Sequence, residues 1–176
     1  VAELPEELLG ALQRPGVALS AFNLKVKLPN GRLVPVESAY QGSKVFRNGG
    51  PFTDLYEAPA RDAKQDSRLR DSGELVGFDF NGVAFALQPA TLFYDWIYLQ
   101  GLALSADLAA QLLLYKSFSD IAFNPEKSTS CQAKSAALFV ALRQLGVVDR
   151  LLDDVSAFKE FLAFDARGHS RTPRLL

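Results

Sequence analysis

Residues 37–44 read Glu-Ser-Ala-Tyr-Gln-Gly-Ser-Lys and carry an acid, an amide and an amine at helical spacing. At about 100° per residue, Glu37, Gln41 and Lys44 fall within roughly 60° of one another on a helix. Cleavage of an aminal-type glycosidic bond uses such a pair, because the acid protonates the leaving group while the amine attacks the anomeric carbon. On spacing alone, two charges on the exposed side of a helix are more often simply solvated.

Several short segments on both sides of this octapeptide occur in the order that a known enzyme family shows. With the core pattern Glu37-x-x-Tyr40-Gln41-x-x-Lys44 they resemble the NADAR family of N-glycosidases. The matching segments are Leu19-Ser20-Ala21-Phe22-Asn23, the turn Pro29-Asn30-Gly31, Ala60-Arg61-Asp62-Ala63-Lys64 and Tyr94-Asp95-Trp96.

The wording of two further segments narrows the resemblance. Gly49-Gly50-Pro51-Phe52-x-Asp54-Leu55-Tyr56 and Phe123-Asn124-Pro125-Glu126-Lys127-Ser128 are similar to the NADAR branch that is paired with DarT-type DNA ADP-ribosyltransferase toxins. The resemblance covers roughly residues 17 to 147. The Trp-Gly-x-Gly and Gly-x-Asn-x-x-Gly elements of the wider family are not found near the C-terminus, so no site residue is carried over from that region.

This resemblance implies an activity, a partner and a mechanism. The protein would hydrolyse the N-glycosidic bond between ADP-ribose and guanine in DNA, and would act in a toxin–antitoxin system as antitoxin to a DarT-type toxin. Lys44 would attack the anomeric carbon of the distal ribose to form a Schiff base, while Glu37 shuttles protons to the departing guanine and then in the water step. No metal or cofactor is needed.

An ionised Glu37 would raise the pKa of Lys44, although attack needs the neutral amine. Burial, nearby cations or direct proton transfer must therefore correct the pKa.

The remaining predicted contacts are with the substrate. Arg61 and Lys64 would receive the diphosphate, with the turn before the 131–145 helix as a second phosphate site. From the sequence alone, these residues also have purely structural interpretations. The segment with Arg61 and Lys64 could be a solvated charged helix, Trp96 could be a core residue, and the turn could simply cap the next helix. The predicted substrate-binding residues are Phe22, Asn23, Tyr40, Gln41, Arg61, Lys64, Asp95, Trp96, Asn124 and Lys127.

Two other functions remain open on the sequence. One is an N-glycosidase of free phosphorylated ribosylamine intermediates, as in the riboflavin-linked NADAR branch. The other is a non-catalytic immunity protein that binds ADP-ribose or sequesters the toxin. Replacement of Glu37 and Lys44 separates catalysis from sequestration, because a sequestering protein would still neutralise the toxin.

Composition limits the partners. The chain has 176 residues, 48% of them hydrophobic, and a formal net charge of −1, as expected for one globular core. That charge argues against gripping a long DNA duplex by general electrostatics, so any grip must be local. We expect a cytoplasmic protein, since no stretch resembles a signal peptide or membrane span. Because the chain has no Met, we expect it to begin inside a longer protein.

The single Cys131 excludes an internal disulfide and a Cys-based metal cluster. The single His169 argues against a His-rich zinc site and a Ser-His-Asp triad.

Hydrophobic periodicity and turn residues predict an α+β fold, mainly helical, with a small antiparallel sheet made from two hairpins. The hairpins turn at Asn30-Gly31 and at Asn81-Gly82. We expect a single domain over residues 1–166 and a disordered tail over 167–176. Helices are predicted over 5–13, from Glu37 to the Gly49-Gly50-Pro51 break, from Pro59 through the charged segment, and over 91–104, 107–118, 131–145 and 155–163.

Overall fold

The computed structural model describes residues 17–115 and 132–166. The described chain is mainly helical, with two small antiparallel sheets, and the predicted α+β class is confirmed. The strands are β1 Lys25–Lys27, β2 Leu33–Pro35, β3 Lys44–Phe46, β4 Leu75–Phe80 and β5 Val83–Phe85. The helices are α1 Val36–Gly42, a 3₁₀ helix Thr53–Glu57, α2 Ala60–Gln65, α3 Arg68–Asp71, α4 Leu92–Ala103, α5 Ala106–Leu112, α6 Gln132–Gln144, α7 Val148–Asp153 and α8 Val155–Ala166.

The first sheet is the predicted β1–β2 hairpin, with Val26 opposite Val34. Its turn needs a glycine, because Gly31 adopts φ +84°. Val26 and Val34 are buried, while Lys25 and Lys27 point to the exposed side. The hairpin therefore has one dry face, and its second strand leads directly into α1.

The second sheet has the order β3-β4-β5. Its β4–β5 hairpin turns at Asn81 and Gly82, which both have positive φ, as expected for a tight Asn-Gly turn. The two predicted hairpins thus lie in different sheets rather than in one. β3, which the sequence does not predict, pairs with β4 so that Lys44 lies opposite Phe78.

α4 is the central helix of the core, and nearly all of its side chains are buried. It contacts β1 and α1 on one side and α6, α7 and α8 on the other. A Cβ at Gly101 would lie only 2.9 Å from Val36 Cγ2, so this glycine lets α4 approach the start of α1 closely. No helix in the described residues is long and apolar enough to cross a membrane.

Several predicted boundaries are wrong. α1 ends at Gly42 rather than at Gly49, and the charged segment after Pro59 forms two short helices that are interrupted at Asp66. α5 ends at Leu112, and α7 is an additional helix. Some predictions concern residues outside the described ranges: the 5–13 helix, the Asn124–Ser128 turn, Cys131, His169 and the tail.

Candidate functional site

Glu37 lies in the first turn of α1 and is only 5% exposed. Backbone hydrogen bonds fix this turn. Val36 N–H donates to Leu24 O and Glu37 N–H donates to Ala21 O, each at 2.9 Å. These bonds satisfy two N–H groups that a helix start would otherwise leave free. The Glu37 carboxylate is thereby held beside the loop that carries Phe22.

Glu37 and Gln41 lie on one face of α1, as predicted, and their i, i+4 spacing allows them to bond. Gln41 is buried, and its Nε2 donates to Glu37 Oε1 at 2.9 Å. Lys64 Nζ lies 3.3 Å from the same oxygen. The acid is thus held by an amide from its own helix and by a cation from α2.

Lys44 does not lie on α1, in contrast to the predicted helical stripe; it is the first residue of β3. α1 ends where the chain pairs with β4, since Asp79 N–H donates to Ser43 O at 2.8 Å. A Cβ at Gly42 would lie 2.6 Å from Cδ1 of the Tyr56 ring, so the last residue of α1 has no room for a side chain. Ser43 Oγ donates to Ala39 O at 2.7 Å and lies 3.1 Å from the Tyr56 hydroxyl. Tertiary contacts, rather than helical periodicity, therefore bring the amine to the acid.

A glycine also allows the chain to pass over the Lys44 backbone. Gly50 has φ +86°, and a Cβ there would lie 2.2 Å from Lys44 O. Neither Gly50 nor Tyr56 was assigned a role from the sequence, although both stand in segments that carry the family resemblance. Their contribution is visible only once the chain is folded.

The environment of Lys44 favours the neutral amine. Burial lowers the pKa of Lys44 below its ordinary value, the charge of Glu37 raises it, and the charge of Lys64 lowers it further. Burial is the largest of these causes, so the net change is a decrease. This answers the difficulty raised by the sequence, since an amine beside a carboxylate would otherwise be held as ammonium.

Aromatic rings form the floor beside the two lysines. Lys44 Nζ lies 5.2 Å from the centre of the Tyr40 ring, and Lys64 Nζ lies 5.2 Å from that of Phe22. Tyr40 packs against Phe78, Phe93 and Tyr94, with ring centres 5.2 to 5.9 Å apart. The structure thus gathers six predicted site residues: Phe22, Glu37, Tyr40, Gln41, Lys44 and Lys64.

The other described candidates lie elsewhere. Asn23 is exposed and donates from Nδ2 to Val17 O at 2.8 Å, within its own turn. Arg61 is exposed on α2. Whether either residue contacts the substrate stays a prediction, and Asn124 and Lys127 lie outside the described residues.

Asp95 has the partners that a buried carboxylate on α4 requires. Its Oδ1 accepts from Ser135 Oγ at 2.6 Å, and its Oδ2 accepts from Thr91 Oγ1 at 2.7 Å. Lys134 Nζ lies 3.2 Å from Thr91 Oγ1. These contacts join α4 to α6 and include no member of the Glu37 group.

Trp96 is buried against Phe80 and Phe85, with ring centres 5.9 and 5.3 Å away. Its indole N–H has no hydrogen-bond partner within the described part of the chain. The predicted contact of Trp96 with the substrate stays a prediction.

The arrangement can support a defined chemistry. A half-buried amine with a lowered pKa can act as a nucleophile, and the adjacent buried acid can move protons.

Comparison with known proteins identifies the family of the chain. No curated protein matches the chain. The resemblance to the DarT-paired NADAR branch is confirmed, because the model of the DarT1-associated NADAR antitoxins matches residues 11–171, and the chain therefore belongs to that family.

Proposed function

We propose that this protein is an N-glycosidase that removes ADP-ribose from guanine bases in DNA. Its family gives the chain an antitoxin role against a DarT toxin. Reversal of the toxin's modification is the reaction that would make an enzyme an antitoxin. The observation that carries the proposal is the half-buried Lys44 amine, whose pKa burial lowers, beside the buried acid Glu37.

In the proposed first step the neutral Lys44 amine attacks the anomeric carbon of the distal ribose. The C–N bond to guanine breaks, and guanine departs with its bonding electron pair. Glu37 takes the proton that the new C–N⁺ centre releases and delivers it to the departing guanine. Opening of the ribose ring then gives an imine between Lys44 and the sugar.

In the second step water adds to the imine carbon, with Glu37 accepting and returning the proton. The C–N bond to Lys44 breaks, ADP-ribose leaves with a free anomeric hydroxyl, and the amine is regenerated. Protons and electrons balance without a redox partner. The aromatic floor of Tyr40 and Phe22 would receive the distal ribose and the guanine, as ring faces commonly do.

The direct test is incubation with guanine-ADP-ribosylated DNA, with release of ADP-ribose followed by chromatography. We expect release by the wild-type protein and none by Lys44→Met. The same variant should fail to neutralise the toxin in cells. A Lys44→Met protein that protects as well as wild type would show that the antitoxin works by sequestration instead.

A further inference from the structure

Both described contacts of the Glu37 carboxylate are made by one oxygen. Gln41 Nε2 donates to Oε1 at 2.9 Å, and Lys64 Nζ lies 3.3 Å from the same atom. These two contacts orient the acid through Oε1.

Lys64 is held in place by more than Glu37. It lies on α2, whose buried Ala60 and Ala63 pack this helix against the protein, and α2 contacts α1 directly. Its ammonium also lies over the Phe22 ring. The Lys64 side chain is nevertheless 55% exposed, whereas Lys44 is half-buried. Of the two lysines beside Glu37, Lys64 is the one whose charge water can stabilise.

We infer that Lys64 is a positioning residue for the proposed reaction: it pairs with Glu37 and orients this acid through Oε1, which leaves Lys44 to act as the nucleophile. The inference rests on the proposed function and adds to it separate roles for the two lysines.

Removal of Lys64 should change the pKa of Lys44 in a defined direction. If Lys64 is removed, its lowering effect on the pKa of Lys44 disappears, while the raising effect of Glu37 remains. Loss of the Lys64 effect therefore raises the pKa of Lys44, so a smaller fraction of the amine is neutral at a given pH. The activity of a Lys64 variant should therefore recover as the pH is raised.

The neighbouring elements contribute other titratable groups. The Tyr56 hydroxyl is bonded to Ser43, and Asp79 accepts from the N–H of Gly82 at 2.8 Å, so both are engaged outside the pair. The charged groups that act on Lys44 are Glu37 and Lys64, and the Tyr40 ring lies 5.2 Å from its Nζ. Tyr94 packs against Tyr40 rather than against Lys44 in the described contacts.

A role in diphosphate binding, which the sequence suggests for Lys64, makes a different prediction. Loss of a phosphate contact would raise KM and leave the pH dependence of kcat unchanged. Loss of a positioning residue would lower kcat at neutral pH and move the rising, acidic limb of the pH profile of kcat to higher pH. The two roles are thus separated by the split between KM and kcat.

The test measures Lys44 directly, without substrate. Competitive labelling with acetic anhydride over a range of pH, followed by peptide mass spectrometry, reports the fraction of neutral Lys44 amine. It is applied to wild type, Lys64→Met, Lys64→Arg and Lys27→Met, the last being a matched loss of charge on the exposed face of β1. Turnover of guanine-ADP-ribosylated DNA is then measured over the same pH range.

We expect the labelling midpoint of Lys44 to lie at higher pH in Lys64→Met than in wild type, because the lowering effect of the Lys64 charge is lost. It should remain at the wild-type value in Lys64→Arg and Lys27→Met. An unchanged midpoint in Lys64→Met overturns the inference, even if the wild-type protein hydrolyses the substrate. A raised midpoint in a protein without wild-type hydrolysis refutes the proposed function and leaves the coupling of the two lysines standing.

Discussion

Two carboxylates are buried in the described part of the chain, and they differ in the groups that contact them. Asp95, 2% exposed, has both oxygens occupied by hydroxyl donors from Thr91 and Ser135. Glu37, 5% exposed, has one oxygen held by Gln41 and Lys64, and a half-buried amine nearby. Neutral hydroxyl donors fix both oxygens of Asp95, whereas the described contacts of Glu37 come from an amide and a cation and reach one oxygen.

Burial alone therefore does not identify the functional acid. A buried carboxylate needs partners in either case. Glu37 differs from Asp95 in two ways. Its described partners are the amide of Gln41 and the ammonium of Lys64, and its charge changes the pKa of Lys44. Perturbed ionisation beside a specific charge partner is the physical sign of a site.

The largest expected effect comes from the same chemical change at each carboxylate. Glu37→Gln keeps the shape of the side chain but removes the proton carrier, so we expect turnover to fall by about 10²–10⁴-fold. The melting temperature should stay close to that of wild type, because an amide can still bond to Gln41 and Lys64. Turnover on guanine-ADP-ribosylated DNA and a thermal melt measure the two effects.

Asp95→Asn is the matched control for that experiment. We expect it to keep most of its turnover, because Asp95 bonds to Thr91 and Ser135 and to no member of the Glu37 group. A loss of turnover in folded Asp95→Asn as large as in Glu37→Gln would restore the role in substrate binding that the sequence suggests for Asp95.

The next effect concerns stability. Asp95→Ala removes two hydrogen bonds and leaves the buried hydroxyl of Ser135 without this acceptor. We expect the free energy of unfolding to fall by about 2–4 kcal/mol. Urea denaturation followed by circular dichroism measures this change, and a decrease below about 0.5 kcal/mol would show that the link between α4 and α6 contributes little.

A smaller effect follows from the lowered pKa of Lys44. The unfolded chain binds this proton more tightly than the folded one, so burial of the charged amine costs stability below the folded pKa. That cost is relieved as the pH rises toward the ordinary value of 10.5. Lys44→Met should therefore be more stable than wild type at pH 7, with a difference that shrinks toward pH 10.5.

Paired urea denaturations across this pH range test the prediction. Burial raises the pKa of Tyr56, but this group titrates in both proteins and cancels in the difference. A Lys44→Met protein that is less stable than wild type at pH 7 would mean that the amine stabilises the fold through Glu37, contrary to the expected cost of its burial.

The two carboxylates also differ in how much of their surroundings could be predicted from the sequence. The shared helical face of Glu37 and Gln41 was predicted from local spacing, and it makes their contact possible. The need of Asp95 for a partner was also predictable from its apolar helix, but its partner Ser135 is 40 residues away in the chain. Local periodicity carries no information about such a contact.

Lys44 illustrates a prediction that was wrong in its geometry. Helical spacing placed it on the stripe of Glu37, yet α1 ends at Gly42, where the ring of Tyr56 leaves no room for a side chain. The amine then enters the site from β3, which forms because β4 offers it a pairing edge. The hairpins, by contrast, were predictable because Asn-Gly turns act locally.

The most direct measurement is the trapping of the covalent intermediate. A lysine–sugar imine can be reduced to a stable amine, so borohydride added during turnover should leave ADP-ribose attached at Lys44 and nowhere else in quantity. Lys44→Ala should abolish the adduct, and Glu37→Gln should slow its formation. Peptide mapping that finds no adduct, together with a Lys44→Arg protein that still hydrolyses the substrate, would contradict nucleophilic attack and show that water attacks the sugar directly.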